Sequence, residues 1–216
     1  YGNSLRLMTL LYLTGNFPNL LDDSSGPGPT PAPTTSPIPT TSPTPTPSPS
    51  QPGELIIDNF EGAFSWITYD GEGASVTAAK AANDTGGSAM EVTYRGSASG
   101  YWGVLKGMVG TDISKATGMS FDIKGTNNQV RLMLVEEGSI AGEDGEQWEY
   151  VISPRNNWTT VEISMSQFSA RSDWQPPGAD GNNRLNLDKI ISIHFSGMNA
   201  NAGSFMVDNV KFTGLP

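Results

Sequence analysis

The sequence has no cysteine and a single histidine, His194. The absence of cysteine excludes a disulfide framework and any thiolate metal site. With only one histidine, a zinc or copper site is also disfavoured, because such sites usually combine several imidazole or thiolate ligands. A chain without cysteine is consistent with a secreted bacterial protein.

Basic residues are scarce as well. The chain carries 12 Lys and Arg against 22 Asp and Glu, a formal net charge of −10. Residues 54–216 alone hold 20 acidic and 11 basic side chains, a net charge of −9. Because an acidic domain repels phosphate groups, binding to nucleic acid or to an anionic membrane is disfavoured. Neutral ligands and cations remain.

The chain also lacks a long apolar run. Its most apolar stretch, LRLMTLLYL at residues 5–13, is too short to span a bilayer and is followed by Gly15, a residue type common at helix C-termini. We interpret it as a buried helix and residues 1–23 as the C-terminal remnant of a preceding catalytic domain. The helix is faintly similar to the closing helix of a family 8 α-helical barrel glycosidase. The first residues show no signal peptide, so secretion is inferred rather than read.

Charged residues are absent from residues 26–53, which hold 11 of the 16 prolines. Such a segment cannot bury enough apolar surface to offset its ordering entropy, and proline favours extended polyproline II backbone. Residues 24–53 are therefore predicted to be a semi-rigid spacer, similar to those of secreted bacterial polysaccharide-degrading enzymes. The alternative, a PxxP ligand of an SH3-type domain, is disfavoured because no Arg or Lys flanks any PxxP.

From residue 54 onward the hydrophobic pattern alternates with period two. In GMSFDIKG, Met119, Phe121 and Ile123 alternate with polar residues, and IISIHFS repeats the pattern around Ile193 and Phe195. About ten such short strands, separated by Gly, Asn, Asp and Pro, predict an all-β antiparallel sandwich over residues 54–216. A jelly roll is the expected topology.

One face of this sandwich is predicted to be semi-polar and to line a groove open to solvent. In QVRLMLVE, one side of the strand carries apolar residues only, whereas Arg131, Met133 and Val135 point the other way. The first side is expected to face the core.

Aromatic residues concentrate where strands meet loops. Tyr101 and Trp102 are adjacent and must face opposite sides, so one belongs to the core and the other to the groove. Trp148 and Tyr150 share a face and are both expected in the core. His194 is expected to be exposed in the groove, where it has either a hydrogen bond to a ligand or a purely structural partner.

The segment FSARSDWQPPG, residues 168–178, brings Arg171, Asp173 and Trp174 together before two prolines. Sugar rings have apolar faces and a rim of hydroxyls, so sugar sites combine flat aromatic rings with carboxylate, amide or guanidinium groups. Glycosidase catalysis would instead need two carboxylates that flank a bond. Asp144, Glu146 and Asp173 are candidates, but each has a simpler role as a hydroxyl acceptor or an ion-pair partner.

A calcium site is predicted near the chain ends of the sandwich. IIDNFEG and MVDNVKF place Asp58, Glu61 and Asp208 on the first and last strands, which are neighbours in a jelly roll. Converging carboxylate oxygens suit Ca²⁺. The alternative is that these Asp-Asn pairs simply form turns or bulges.

Residues 54–214 resemble the family 11 carbohydrate-binding modules of bacterial β-glucanases. The resemblance rests on the order and spacing of these motifs: DNFEG, YDGEGASV, AMEVTYRG, GYWG, SFDIKG, DGEQWEYVISP, FSARSDW, QPPG, LNLDKIISIHF and VDNVK. It implies a jelly roll with bound calcium that holds one β-1,4- or mixed β-1,3-1,4-glucan chain in a concave cleft. More remotely, the chain resembles assembly proteins of respiratory complex I, which keep the sandwich without a sugar site.

Position by position, the resemblance implies a set of cleft residues. Stacking is assigned to Tyr69, Tyr101 and Trp174. Hydrogen bonds to sugar hydroxyls are assigned by the resemblance to Asp144, Arg171 and Asp173. We assign the same role to Gln147 and to His194, which lies on the groove side of its strand.

The chain departs from the family pattern at several of its positions. Trp174 stands for tyrosine and keeps a stacking ring, and Gln147 stands for histidine. Ile191, Gly197 and Gly107 replace an aspartate, a tyrosine and a serine. The carboxylate lost at Ile191 and the ring lost at Gly197 predict weaker contacts at one end of the cleft or a shifted preference for glucan linkage.

The sequence thus predicts a monomeric, non-catalytic module that keeps an attached glycoside hydrolase on its glucan substrate and raises the local substrate concentration. One alternative is a glucan hydrolase or lyase that acts through Asp144 and Asp173. The other is a structural or protein-interaction sandwich without affinity for sugar.

Overall fold

The computed structural model describes residues 53–197 and 201–216. The predicted catalytic-domain remnant and almost all of the predicted linker lie outside these residues. The described part contains twelve β-strands and two short 3₁₀ helices: β1 Glu54–Asp58, β2 Ile67–Gly71, β3 Ser75–Ala82, β4 Ser88–Arg95, β5 Tyr101–Gly107, β6 Gly118–Gly125, β7 Val130–Glu137, β8 Asp144–Ile152, β9 Thr159–Ser164, η1 Met165–Gln167, β10 Ser169–Ala170, η2 Leu187–Lys189, β11 Ile190–Gly197 and β12 Ala202–Thr213. Within this part no helix has the length and apolar character needed to cross a membrane.

The strands form two six-stranded antiparallel sheets. Sheet A has the order β3-β4-β12-β6-β9, with β1 paired to the second half of β12, and sheet B has the order β10-β8-β7-β11-β5-β2. Each sheet takes strands from distant parts of the chain, and the first and last strands pair with each other. The predicted jelly-roll sandwich is confirmed.

The core lies between the sheets and is built from the alternating apolar residues. Phe121 and Phe205 of sheet A meet Phe195 of sheet B, with ring centroids 5.4 and 6.0 Å from that of Phe195. Trp102 is buried and stacks on Tyr94 at 4.0 Å. Burial of these rings removes a large apolar area from water and favours the sandwich.

Burial alternates clearly along strands such as β4, whereas two strands of sheet B show no such period. Strand β2 has only exposed and half-exposed residues, so it shows no buried period. Strand β10 has two residues, too few for any period. Both are edge strands of sheet B, where one side has no neighbouring strand to bury the side chains.

Strand β7 is more buried than predicted. Arg131, Met133 and Val135 point away from the core but are at most 6% exposed. The reason is position, since two strands lie on one side of β7 and three on the other. Because β7 is central, its outward side chains are covered by those of the neighbouring strands and leave little exposed surface.

Bulges change the direction of side chains in four strands, and one of them lies between Ile56 and Asp58 in β1. In β8, Glu137 pairs with Asp144 and Val135 with Gln147, so β8 has one extra residue there. A similar shift lies at Ile191 in β11 and another between Asp208 and Lys211 in β12. Each bulge moves the residues beyond it to the opposite face.

Candidate functional site

The outward face of sheet B carries most of the predicted site residues. Strand alternation and register place the following side chains on this surface, here called the aromatic face: Ile67, Tyr69, Tyr101, Leu105, Arg131, Met133, Gln147, Glu149, Ser192, His194 and Ser196. Trp102 points into the core, so the predicted opposition of Tyr101 and Trp102 is confirmed. Trp148 is buried and Tyr150 packs against the core, as predicted.

Two tyrosine rings lie against this face because the residue opposite each of them on the neighbouring strand is a glycine. Tyr69 is paired with Gly103, and a Cβ on Gly103 would clash with the Tyr69 ring. Tyr101 covers Gly71 in the same way. The ring centroids are 6.5 Å apart, and Tyr101 is 50% exposed. One margin of the face therefore carries two neighbouring aromatic rings, tilted by 34° to each other, here called the aromatic platform.

His194 anchors Tyr69 from below. The Tyr69 hydroxyl lies 3.0 Å from Nδ1 of His194, and the Ser192 hydroxyl lies 2.8 Å from Nε2. Burial, assisted by the nearby charge of Arg171, lowers the pKa of His194 to about 3. The prediction that His194 is exposed is wrong, because the residue is only 6% exposed. Both ring nitrogens already have partners, which favours the structural alternative.

The opposite margin is formed by residues 171–178, here called the wall loop. Arg171 Nε donates to Asp173 Oδ1 at 2.6 Å, and the Arg171 guanidinium lies 5.4 Å from the Trp174 ring centroid. Trp174 is 50% exposed. The predicted grouping of a guanidinium, a carboxylate and an indole is thus present, and one side of the indole is covered by the cation.

Asp173 is bound by two guanidinium groups. Arg131, on the floor of the face, donates from Nη2 to Asp173 Oδ2 at 3.1 Å. Partial burial alone would raise the pKa of Asp173, but the hydrogen bond and charge of Arg171, with those of Arg131, lower it to about 2. Asp173 is therefore ionised at any physiological pH and can accept hydrogen bonds from hydroxyl groups.

Gln147 and Asp144 differ in what they offer to a ligand. Gln147 is 5% exposed, and its Oε1 accepts a hydrogen bond from Arg171 Nη1 at 2.9 Å. Its side chain orients Arg171. Asp144 is exposed, and the bulge in β8 turns it to the same face as Gln147. Although the residue is exposed, partial desolvation of its carboxylate by surrounding protein atoms, followed by repulsion from Glu143, raises the pKa of Asp144.

One electrostatic environment joins these groups. Burial raises the pKa of Tyr69, and the charges of Arg171, Asp144 and Arg131 modify that shift. The hydroxyl of Tyr69 is thus within electrostatic range of Arg131, in the middle of the face, and of Arg171 at the opposite margin. The structure brings together all eight predicted carbohydrate-binding residues on one face or at its rim.

Sequence reasoning missed four residues of the site. Arg131 and Glu149 form an ion pair at 2.5 Å on the floor of the face. Ser192 bonds His194, and Gln175 bonds the backbone of Gln147. The alternation in β7 and β11 already placed Arg131 and Ser192 on the groove side, and that was the available signal.

The three replaced positions do not all bear on this face. Gly107 pairs with Ser192, and a Cβ there would meet no atom within 4 Å. Ile191 is the extra residue of the β11 bulge. Gly197 points inward, and a Cβ there would clash with Trp102. The inference that Gly197 thins the cleft is therefore not supported by its direction.

The predicted calcium ligands are divided between two faces of sheet A. Asp58 pairs with Val210, a core position, and its carboxylate accepts hydrogen bonds from Trp66 Nε1 at 3.0 Å and Lys106 Nζ at 2.7 Å. Asp208 pairs with Asp122 on the outer face. The bulge after Asp208 in β12 and the bulge before Asp58 in β1 together account for this separation.

Glu61 and Asp208 lie on the same side, around the turn that joins β3 to β4. Glu61 Oε1 accepts from Ser88 N at 2.8 Å, and Asp208 Oδ2 accepts from Asn83 Nδ2 at 2.7 Å. Burial, together with the charges of Asp122 and Glu61, raises the pKa of Asp208. Across residues 53–197 and 201–216, no three His, Cys, Asp or Glu side chains are grouped to hold a metal ion.

Glu146, the third acid considered for catalysis, is 4% exposed. Burial raises its pKa, and a hydrogen bond with Asp180 raises it further, whereas a hydrogen bond from the backbone of Asn183 acts in the opposite direction. The residue lies in the register shift of β8 between Asp144 and Gln147.

Comparison with known proteins identifies a family that matches this geometry. The sequence model of the carbohydrate binding domain, family 11, matches residues 42–215. Endoglucanase H of Acetivibrio thermocellus is 44% identical over 165 residues, which are 75% of this chain and 18% of that enzyme. Endoglucanase A of the same organism is 71% identical over 35 residues, 16% of this chain and 7% of that enzyme. The chain thus spans less than a fifth of each curated relative.

A solved structure gives the same result at the level of the fold. The family 11 carbohydrate-binding module from Clostridium thermocellum, in complex with a β-1,3-1,4-mixed-linked tetrasaccharide, superposes with a TM-score of 0.72. It is 44% identical, and the match covers 76% of this chain and 96% of that module.

Proposed function

The chain belongs to family 11 of the carbohydrate-binding domains, and from that membership we propose that its aromatic face holds one chain of β-1,4- or mixed-linkage β-1,3-1,4-glucan. It is a non-catalytic module. The observation that carries the proposal is the placement of two half-exposed aromatic rings, Tyr101 and Trp174, at opposite margins of one face. Polar groups lie between them.

This arrangement suits a sugar chain for a simple physical reason. A pyranose offers an apolar face to a ring and equatorial hydroxyls to polar groups at its rim. Asp173 accepts from hydroxyls, while Tyr101 and Trp174 supply flat surface. Because Arg171 and Asp173 are already paired, they keep their positions without a ligand, which lowers the ordering cost of binding.

The proposal is tested by a titration of the full chain with barley β-glucan and with cello-oligosaccharides, monitored by intrinsic tryptophan fluorescence, with reducing-sugar release measured on the same samples. We expect saturable binding and no product. Product formation would support the hydrolase alternative instead, and a flat titration with no product would support a sandwich without sugar affinity.

A structural calcium ion is a second proposal. Its support is the group of Glu61 and Asp208 carboxylates beside the Asn83 side chain, where burial and like charge raise the pKa of Asp208. Asp58 would not be a ligand, because it is paired with Lys106. Calcium bound here would relieve the repulsion between the two acids, with its remaining ligands from backbone oxygens or water.

Removal of calcium tests this second proposal. EDTA should lower the melting temperature of the wild type, and added CaCl₂ should restore it. Asp208→Asn should abolish the difference, whereas Glu91→Gln, an exposed acid on the neighbouring strand β4, should keep it. A wild-type melting temperature that is unchanged by EDTA would exclude a structural calcium ion.

The parent protein is a third proposal. Both curated relatives are endoglucanases. We infer that the chain is attached to a glycoside hydrolase, is secreted, and acts as a monomer that keeps the enzyme close to glucan through the proline-rich residues 24–53. Gel filtration with light scattering would test the monomeric state.

A further inference from the structure

The wall loop carries Arg171, Asp173 and Trp174, yet regular structure accounts for little of its position. It follows strand β10, which has only two residues. An exposed loop behind so short a ladder would ordinarily be mobile. The bonds of Asp173 to Arg131 and of Arg171 to Gln147 tie its charged side chains to sheet B. A further interaction ties its backbone to the same sheet.

That interaction is made by the side chain of Gln175. Its Oε1 accepts a hydrogen bond from the backbone N–H of Gln147 at 2.9 Å. Its Nε2 donates to the backbone oxygen of Gln147 at 3.0 Å and to that of Arg171 at 2.9 Å. The orientation of the carboxamide is unambiguous, because an N–H must meet the oxygen and two carbonyls must meet the nitrogen.

The carboxamide replaces a residue of a neighbouring strand. In an antiparallel pair, one residue exchanges both backbone hydrogen bonds with its partner. Gln175 makes both of these hydrogen bonds to Gln147 with its side chain, one residue beyond the end of β10. Arg171 N also donates to the oxygen of Gln147 at 2.8 Å. The edge of sheet B therefore continues into the wall loop.

The third bond closes the loop on itself. Because Nε2 also binds the Arg171 oxygen, the two ends of the segment 171–175 are joined. Asp173 and Trp174 lie inside this closed segment. Beyond it, the hydroxyl and N–H of Ser139 both donate to the oxygen of Gly178 at 2.9 Å, which fastens the far end of the loop.

We propose that Gln175 is a positioning residue of the glucan site, which rests on the function proposed above. Its polar hydrogens and its oxygen are all engaged with the backbone, so it makes no contact with the sugar. It acts by holding Trp174 and Asp173 in the geometry that a glucan chain meets. Preorganisation of this kind raises affinity by lowering the ordering cost of binding.

The test compares Gln175→Met, which keeps the length of the side chain and loses its hydrogen bonds, with Gln167→Met. Gln167 also accepts a hydrogen bond from a backbone N–H, that of Ser164 at 2.8 Å, but it lies outside the wall loop. For each full-length variant, ¹⁵N relaxation of the Trp174 indole N–H is measured without ligand, and the dissociation constant for a β-1,3-1,4-glucan hexasaccharide is measured by calorimetry.

For Gln175→Met we expect a lower order parameter at the Trp174 indole and an affinity about tenfold weaker, with both unchanged in Gln167→Met. An unchanged order parameter would overturn the proposal, and so would a mobile indole with wild-type affinity. If the wild type itself fails to bind, the proposed function fails, and the order parameter still decides whether Gln175 fixes the loop.

Discussion

At the scale of single residues, the aromatic face separates side chains that can touch a sugar from side chains that hold others in place. Tyr101, Asp173 and Trp174 are exposed, whereas His194 and Gln147 are buried and bonded to their neighbours. Residue type alone cannot separate these groups, since a histidine and a glutamine suit a sugar hydroxyl equally well. Burial decides.

Trp174→Ala and Tyr101→Ala should each weaken glucan binding by about 1–3 kcal/mol, the usual scale for an aromatic contact at a binding site. Their melting temperatures should stay close to that of the wild type, because both rings are half exposed. Affinity electrophoresis in β-glucan gels and thermal scans measure the two effects. Wild-type mobility of both variants would place the site elsewhere.

The stability of the module should depend on His194 at acid pH. The pKa of His194 in the folded chain, about 3, lies below the ordinary value of 6.5. Between these two values, the imidazole is protonated in the unfolded chain and neutral in the folded chain. The free energy of unfolding therefore falls as the pH drops from about 6.5 towards 3, by up to about 1.4 kcal/mol per pH unit from this one group.

His194→Gln removes the titratable imidazole and tests whether His194 causes this loss of stability. Denaturant unfolding between pH 7 and pH 4 should give a shallower loss of stability in the variant than in the wild type. Parallel curves for the two proteins would mean that His194 is not buried in its neutral form.

At the scale of elements, strand β5 shows how a strand can be shaped for a ligand. Gly103 has the flat Tyr69 ring above it, while Gly107, on the same strand and face, has open space above it. Neither residue has a positive φ, so alanine fits the backbone at both. Alanine variants of the two residues therefore separate the effect of displacing the Tyr69 ring from the effect of replacing a glycine in β5.

Gly103→Ala should displace the Tyr69 ring and weaken glucan binding about tenfold or more, whereas Gly107→Ala should bind within about twofold of the wild type. Titration of both variants with one oligosaccharide checks this. Equal affinities would mean that the ring position above β5 does not matter for binding.

Strand alternation also shows how much of the fold the sequence could predict. Strands β6 and β11 were read directly from their period, because one of their faces is core. Strand β2 was missed, since an edge strand with both faces partly exposed has no such period. The direction of Asp144 depends on a bulge in β8, and that of Asp58 on a bulge in β1. No period two pattern reveals an inserted residue.

The sequence predicts most residues of the candidate site but not the residues that hold them in place. Arg171, Asp173 and Trp174 were found because they are adjacent in sequence. Gln175 and Arg131 were not assigned to the site, because their roles arise from contacts across strands, 28 and 42 residues away in the chain. Such partners become visible only once the register of the sheet is known.

At the scale of the whole molecule, the net charge limits the kind of ligand. Residues 54–216 carry a net charge of −9, and the charged groups of the wall loop are paired with each other. A neutral glucan gains nothing from long-range attraction. Affinity should therefore change by less than about twofold between 50 and 500 mM NaCl, whereas a ligand held by charge would weaken sharply. Calorimetric titrations at both salt concentrations measure this.

The central claim is that the aromatic face of this module binds a glucan chain without cleaving it. Its most direct test is calorimetric titration of the full chain, and of the double variant Tyr101→Ala/Trp174→Ala, with a β-1,3-1,4-glucan hexasaccharide. The wild type should give a saturable heat of binding with intact ligand recovered, and the double variant should give none. No heat from the wild type at millimolar ligand, or equal binding by the double variant, would contradict the claim.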